Sequence, residues 1–230
     1  MGSTRLPGKV LRPLLDRPLL AWDVYRLRKC RLIDDIIIAT TTDPRDDALA
    51  DLCASEGWGC FRGSENDVLD RYYGAARQYH ADTIVRITSD CPLIDSSVTD
   101  YVIATYAAAA PAADYASNVF PRTYPRGLDT EVFSFAALET AWKEDQSEWR
   151  EHVTPFLWKQ PERFRQINAA NLVDYSSHRW TVDTPQDFEL VRRIYEHFGH
   201  GDFAWRDVLT LLDQHPDWVA INADIQQKNV

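Results

Sequence analysis

Short apolar runs alternate with helical patterns through the first half of the chain, and this alternation constrains the fold more than any other feature. The runs at residues 35–40 and 83–88 are rich in β-branched residues, as is typical of strands buried on both faces of a parallel sheet. Residues 59–62 predict a further short strand. Strands and helices alternating at this spacing are joined by right-handed crossovers. The sequence therefore predicts a three-layer α/β fold.

Apolar residues at helical spacing fill the stretches around these strands. A largely buried helix is predicted to start at Pro18 and to end in a basic group. The other predicted helices cover residues 46–56, 66–80, 97–109, 148–159, 185–198 and 203–215. Residues 114–181 differ from the first half of the chain in their sequence pattern. We expect them to form a mixed, partly antiparallel lobe with strands at 130–133 and 164–168. We expect this lobe to cover the open end of the sheet.

Charge and cysteine content exclude several classes of protein. A net charge of -10 and a pI near 5.0 argue against a nucleic-acid backbone or an anionic membrane as the main partner. No apolar run approaches the about 18 residues that a bilayer span needs. The four cysteines show no CxxC spacing and no apolar signal segment precedes them. We therefore expect a soluble, cytoplasmic protein without a disulfide or zinc framework.

The chain opens with the loop GSTRLPGK, which has the composition of an anion-binding site. Backbone N–H groups at Gly2, Ser3 and Thr4 carry little side-chain bulk, and Arg5 and Lys9 add positive charge. The loop does not match the Walker pattern, because Ser or Thr does not follow the lysine. An ordinary N-terminal segment has the same composition, and the residues alone do not separate the two interpretations.

Asp90 follows the predicted strand at residues 83–88. Ligands of open α/β sheets bind outside the carboxyl ends of the strands, so a carboxylate at this point could hold a cation. Pro92 gives the turn rigidity. An ordinary turn explains such an aspartate at least as often, and Asp95 fits a cap of the next helix.

Asp183 stands in a comparable place near the end of the chain. Residues 180–182 predict a short strand, and Thr184 fits the N-cap of the helix that follows. The helix dipole explains Asp187 in the first turn without a functional role, whereas Asp183 lies one residue ahead of the cap. Two strand-end carboxylates and a cationic loop together predict a metal and polyphosphate site.

Six motifs in a fixed order resemble the spore coat polysaccharide biosynthesis protein F family. They are GSTRLPGKVL, FRGSENDVLDRYY, RITSDCPLID, PRTYPRGLDTEVFSF, REHVTPF and HRWTVDTPQDFELVRRIY. That family is similar to the cytidylyltransferases that activate 3-deoxy-manno-octulosonic and sialic acids. The resemblance implies a nucleotide-diphospho-sugar transferase fold, GT-A-like and Rossmann-like, with a mixed sheet. It also implies cytidylyl transfer from CTP to an acidic sugar or related acceptor in surface polysaccharide biosynthesis, with release of pyrophosphate.

The resemblance also implies roles for individual residues. The opening loop, Gly2, Ser3, Thr4, Arg5 and Lys9, would grip the triphosphate. Asp90 and Asp183 would bind Mg²⁺, which is the implied cofactor. Further nucleotide contacts are implied for Ser64, Asn66 and Arg71. Acceptor contacts are implied for Arg122, Arg126, Asp129, Arg150, Glu151, His152 and Arg179.

Some of these residues fit a structural role equally well. Residues 66–71 are compatible with a helix cap and a surface face. Arg150 and Glu151 are compatible with a solvated helix pair, and His178 and Arg179 could orient Asp183, contact phosphate or support the fold. The implied division is a single domain with a nucleotide-binding part at 1–113, an acceptor lobe at 114–181 and C-terminal helices at 182–230.

Two departures from the family pattern stand out. Ser89 occupies a position where relatives usually have Gly. The strand that normally precedes the opening loop is missing, so we expect the first central strand to be absent and Met1 to lie inside a longer motif. A non-catalytic nucleotide- or partner-binding relative and a metal-dependent glycosyltransferase of the same fold are therefore alternatives. Relatives suggest a homodimer.

Overall fold

The computed structural model describes residues 5–227, so the predictions for Gly2, Ser3 and Thr4 lie outside the described residues. The strands, numbered along the chain, are β1 (Pro13–Leu14), β2 (Arg17–Pro18), β3 (Ile37–Thr41), β4 (Gly59–Gly63), β5 (Thr83–Arg86), β6 (Tyr115–Ser117), β7 (Glu131–Ser134) and β8 (Gln166–Asn168). The α-helices are α1 (Leu19–Leu27), α2 (Asp47–Glu56), α3 (Val68–Gln78), α4 (Ser96–Ala107), α5 (Phe135–Glu144), α6 (Pro155–Trp158), α7 (Pro185–Phe198), α8 (Trp205–Gln214) and α9 (Pro216–Val219). The alternation predicted from the sequence is confirmed.

The described strands form a small hairpin and two larger sheets. β1 and β2 make the hairpin, and β3 pairs with β4 in parallel, as predicted. The third sheet has the order β5-β7-β6-β8, with antiparallel pairs at β5-β7 and β6-β7 and a parallel pair at β6-β8. The mixed, partly antiparallel character expected of the second half of the chain is therefore confirmed.

β3 and β5 lie at the edges of separate sheets. Within residues 5–227, each of these strands hydrogen-bonds to another strand on one side alone. Four of the five β3 residues are half-buried, whereas a strand inside a covered parallel sheet buries both faces. This arrangement agrees with the expectation that the described chain has no strand between them.

Helix caps fix the turns on which the candidate site depends. Asp95 caps α4 by accepting hydrogen bonds from the N–H groups of Ser97 and Val98. Thr184 caps α7, and Asp187 completes a capping box there. Both capping interpretations from the sequence are confirmed. Asp183 directly precedes the α7 cap, and Asp90 lies in the turn that leads to the α4 cap.

The largest hydrophobic cluster joins the two ends of the chain. α7 and α8 pack with α1 around buried aromatic side chains, among them Trp22, Trp180 and Tyr195. The Trp22 indole donates to the Leu14 carbonyl over 2.6 Å, which ties the β1-β2 hairpin to this core. A second cluster packs α3 and α5 on the mixed sheet.

Two predicted elements are wrong. The helix expected over 148–159 is divided into a 3₁₀ helix (Glu148–His152) and α6, because Val153 has a φ of 69° and Pro155 cannot continue the preceding helix. The strand expected at 180–182 makes no ladder. Val182 instead donates one hydrogen bond to the Asp90 carbonyl over 2.8 Å. Within residues 5–227, no helix has the length and apolar character of a membrane span.

Candidate active site

Lys9 is the centre of the candidate site. Its Nζ donates to Asp90 Oδ2 over 2.7 Å, to Asp183 Oδ1 over 2.9 Å and to the Val182 carbonyl over 2.8 Å. Lys9 begins a short 3₁₀ helix, and Gly8 before it has a φ of 66°, a conformation that favours glycine. The glycine of the opening loop thus allows the turn that brings the lysine to both carboxylates.

The turn after β5 and the segment before α7 meet at this point. Besides the Val182 bond, the Thr181 hydroxyl donates to the Asp90 carbonyl over 3.4 Å. The Tyr195 hydroxyl of α7 donates to the Pro92 carbonyl over 2.6 Å. These bonds place Asp90 and Asp183 side by side although they are far apart in the sequence. The predicted pairing of the two carboxylates is therefore seen in the structure.

Asp183 lies in contact with three cationic side chains. Besides Lys9, Arg5 lies 3.1 Å from its Oδ2, and Arg179 Nη2 donates to the same oxygen over 2.9 Å. Arg179 also binds Asp187 through its Nε over 2.8 Å, so one guanidinium bridges two carboxylates of the α7 start. Of the interpretations for Arg179, its orienting role toward Asp183 is the one that its contacts support.

The charges in this cluster stabilise each other. Burial opposes ionisation of Asp183, but the bonds from Lys9 and Arg179 outweigh burial and hold the pKa of Asp183 below its usual value. Burial likewise favours neutral Lys9, but Asp90 and Asp183 overcome this effect and raise the pKa of Lys9. Both groups are therefore charged at neutral pH.

Asp90 and Asp183 have the donor chemistry of a magnesium site. Carboxylate oxygens suit Mg²⁺, which commonly takes one or two carboxylates and completes its shell with water and substrate phosphates. Within residues 5–227, no group of three or more His, Cys, Asp or Glu side chains could hold a metal by itself. The Lys9 ammonium binds both carboxylates, so this pair of side chains accommodates a cation.

The predicted nucleotide contacts lie at the start of α3. Ser64 Oγ accepts from the Asp67 N–H over 3.1 Å, and Arg71 Nη1 donates to the Ser64 carbonyl over 2.5 Å. The N-cap is Asp67 and not Asn66, and the Asn66 side chain is exposed. Burial lowers the pKa of Arg71, despite nearby acidic groups that act in the opposite direction. No bond among the described residues links this segment to the Lys9 cluster.

Arg122 and Arg150 are already bound to other protein groups. Arg122 forms a two-bond ion pair with Asp129, one bond of which measures 2.7 Å. Arg150 binds Asp67 through its Nε over 2.8 Å and donates to two backbone carbonyls. The helix-pair interpretation of Arg150 is therefore wrong, because this arginine ties its loop to the start of α3.

Glu151 and His152 lie beside Arg150 in the 3₁₀ helix, where Glu151 is exposed and His152 half-buried. Arg126 pairs through its backbone, donating to the His178 carbonyl over 3.0 Å and accepting from the Trp180 N–H over 2.7 Å. Its guanidinium has no hydrogen bond or ion pair within residues 5–227. Arg126 is thus free to bind a ligand.

Sequence reasoning missed two supports of the site. Asp67 caps α3 and anchors Arg150, and its place just before an apolar helical pattern was the signal that could have identified it. Asn222 donates to the Arg179 carbonyl and to Asp187 Oδ1, each over 2.9 Å. No sequence pattern marks Asn222, because its partners come from a segment more than 30 residues earlier.

Known proteins share the sequence and the fold of this chain over most of its length. The cytidylyltransferase family model matches residues 1–199. The chain is 39% identical to an uncharacterized protein of Methanocaldococcus jannaschii, over 99% of this chain and 93% of that protein. It is 33% identical to the spore coat polysaccharide biosynthesis protein SpsF of Bacillus subtilis, over 94% and 92% of the two chains. A cytidylyltransferase structure from Leptospira borgpetersenii superposes with a TM-score of 0.91 at 32% identity, covering 100% of this chain and 95% of that one.

Proposed function

Because this chain belongs to the cytidylyltransferase family, we propose that it transfers the cytidylyl group of CTP to an acidic sugar or related acceptor and releases pyrophosphate. The similarity to a spore coat polysaccharide biosynthesis protein supports a place in the synthesis of a surface polysaccharide. The observation that carries the proposal is the meeting of Lys9 with Asp90 and Asp183.

The proposed reaction is an in-line displacement at the α-phosphorus of CTP. The acceptor hydroxyl oxygen bonds to this phosphorus, the bond to the bridging oxygen of the departing pyrophosphate breaks, and the hydroxyl proton is released. Phosphoryl-type transfer depends on positioning and electrostatic stabilisation, so no covalent enzyme intermediate is needed. Arg5 and Lys9 provide positive charge next to the carboxylates, where the triphosphate would bind.

We propose that Asp90 and Asp183 hold Mg²⁺. The ion would neutralise negative charge on the phosphates when bound. Arg179 and Asp187 keep the Asp183 carboxylate oriented, because the guanidinium binds both carboxylates. Lys9 spans the two carboxylates and holds them together. The protein therefore brings the two carboxylates together without help from the metal ion.

The division of the sheets favours one other candidate, a relative that binds a nucleotide without turnover. β3 and β5 each have a neighbouring strand on one side alone within residues 5–227. Unpaired strand edges are costly and invite pairing with another segment. Such a relative would bind CTP but release no pyrophosphate. The cytoplasmic location and the homodimer stay predictions.

Pyrophosphate release tests both candidates. The purified chain is incubated with Mg²⁺, each of the four nucleoside triphosphates and a panel of acidic sugars, and CTP is expected to be preferred. Asp90→Asn and Asp183→Asn should each abolish release, while Asp51→Asn, an exposed position on α2, serves as the matched control. Activity that survives both site substitutions would refute the metal assignment. Binding of CTP without pyrophosphate release from any acceptor would support the non-catalytic candidate.

A further inference from the structure

Asn222 connects the C-terminal segment, residues 219–227, to the start of α7. Its side chain is buried. Its amide nitrogen donates to the Arg179 carbonyl over 2.9 Å and to Asp187 Oδ1 over 2.9 Å. An asparagine amide has two N–H donors, so both are used here. One buried side chain therefore ties the C-terminal segment to two points of the preceding chain.

Asp187, the second of these partners, is fully buried and accepts bonds from several groups. Its Oδ2 accepts from the N–H groups of Asp183 over 3.0 Å and of Thr184 over 2.9 Å. Its Oδ1 accepts from Arg179 Nε over 2.8 Å as well as from Asn222. A buried carboxylate depends on such bonds, because no water is there to replace them. Asn222 is thus one of the two side chains that fix the position of Oδ1.

Arg179 extends this arrangement to Asp183. Besides its bond to Asp187 through Nε, its Nη2 donates to Asp183 Oδ2 over 2.9 Å. Its Nη1 donates to Oε1 of Gln227 in the C-terminal segment. The guanidinium is planar and rigid, so partners that fix Nε and Nη1 also fix the direction of Nη2. The C-terminal segment therefore influences where Arg179 holds the Asp183 carboxylate.

Packing alone does not hold the C-terminal segment in place. A cavity of about 220 Å³, which Arg126 also lines, lies between this segment and residues 176–180. The cavity interrupts the packing between the two stretches, so the bonds of Asn222 and Gln227 matter more for the contact. The segment lies beyond residue 199, where the match to the family model ends. The family match therefore does not cover these contacts.

We propose that Asn222 is a positioning residue that sets the orientation of Asp183 through Asp187 and Arg179, and thereby the affinity of the site for Mg²⁺. The inference rests on the proposed function, in which Asp90 and Asp183 hold the ion. Loss of a side chain that orients a metal ligand typically lowers metal affinity about 10- to 100-fold. Asn222 acts through two other side chains, so we expect the lower end of this range.

The first test replaces Asn222 with leucine, which has a similar size and no hydrogen-bond donor. Pyrophosphate release is measured at saturating CTP and acceptor while the concentration of free Mg²⁺ is varied. In Asn222→Leu, the Mg²⁺ concentration for half-maximal release should rise about tenfold, whereas the KM for the acceptor and the rate at saturating Mg²⁺ should stay close to wild type. Asn222→Gln keeps the amide and should restore part of the affinity. Gln226→Leu, which removes an exposed amide of the same segment, is the matched control.

The second test observes Arg179 without metal, nucleotide or turnover. In ¹⁵N-labelled protein, the bond from Arg179 Nε to a buried carboxylate should slow exchange of the Nε–H proton with water and keep its resonance visible. The resonance is assigned with Arg179→Lys. Asn222→Leu should accelerate this exchange or remove the resonance, and Gln226→Leu should not. Circular dichroism of each variant checks that the fold is kept.

The outcomes separate this inference from the proposed function. Release with an unchanged Mg²⁺ requirement in Asn222→Leu would overturn the positioning role and support the proposed function. Faster exchange at Arg179 in a protein that releases no pyrophosphate with any acceptor would support the hold of Asn222 on Arg179 and overturn the proposed function. An Arg179 resonance that Asn222→Leu leaves unchanged would overturn the route through Arg179.

Discussion

Asp23 is expected to weaken the folded state as the pH rises. It lies on α1 with 2% of its surface exposed, and both carboxylate oxygens lack hydrogen-bond partners within residues 5–227. The Cys91 N–H is near enough to favour the charged form but does not reach hydrogen-bonding geometry. Burial, and then the negative charge of Asp90, raise the pKa of Asp23 well above its usual value. The folded protein therefore keeps a proton that the unfolded chain releases.

The magnitude follows from this difference in bound protons. Below about pH 3.9 an aspartate is protonated in both states, so its ionisation does not alter stability. Above that pH the folded state alone holds the proton. Stability is then lost by about 1.4 kcal/mol per pH unit until the pH reaches the raised pKa of the folded state. Asp23→Asn keeps the shape and cannot ionise, so its stability relative to wild type should rise with this slope.

Urea denaturation at pH 4, 5, 6 and 7 measures the free energy of unfolding for wild type and Asp23→Asn. The two proteins should be close at pH 4 and diverge toward pH 7. Asp51→Asn is the matched control, because an exposed carboxyl is hydrated in both the folded and the unfolded state. Equal slopes for wild type and Asp23→Asn would refute the reasoning, since they would mean that Asp23 is ionised in the folded protein.

Three further predictions concern the site and its supports. Lys9→Met leaves two carboxylates without their shared cation. The rate of pyrophosphate release should therefore fall about 100-fold, and the free energy of unfolding should fall by about 3 kcal/mol. A change in the release rate below twofold would contradict the role of Lys9. Burial lowers the pKa of His178, so the stability of the fold should fall as the pH drops below about 6.5. In thermal unfolding, His178→Gln should flatten this pH dependence. An unchanged pH profile would exclude His178 as the source of the dependence. Arg150→Met leaves Asp67 and two carbonyls unpaired and should cost about 2 kcal/mol in urea denaturation; equal midpoints would show that the ion pair contributes little.

Local patterns were sufficient to predict most of the elements. α7 has the predicted bounds because Thr184, Pro185 and Gly199 are strong start and stop signals. The helix over 148–159 was wrong because Val153 adopts a positive φ, which the sequence does not reveal for a β-branched residue. The hairpin β1-β2 was missed because its strands have two residues each and its stability depends on contact with the core.

The candidate site was predictable in its charged centre but not in the surrounding contacts. Asp90 and Asp183 were identifiable because each follows an extended run and precedes a helix start. The roles of the arginines could not be predicted. Arginines in similar sequence contexts pair with Asp129, anchor a loop or line a cavity in this structure. The same limit applies to Asp23, whose helical position is compatible with either a buried or an exposed side chain.

The amino-acid sequence by itself determined the α/β class, the helix caps and the residue types of a cationic loop and of two carboxylates. These features depend on near neighbours in the chain, where backbone geometry limits the outcome. Only the tertiary structure decided that Lys9 bridges the two carboxylates, that Arg126 is left unpaired and that the C-terminal segment forms a wall of its cavity. Such contacts join residues more than 80 positions apart, and their geometry depends on how the whole core packs.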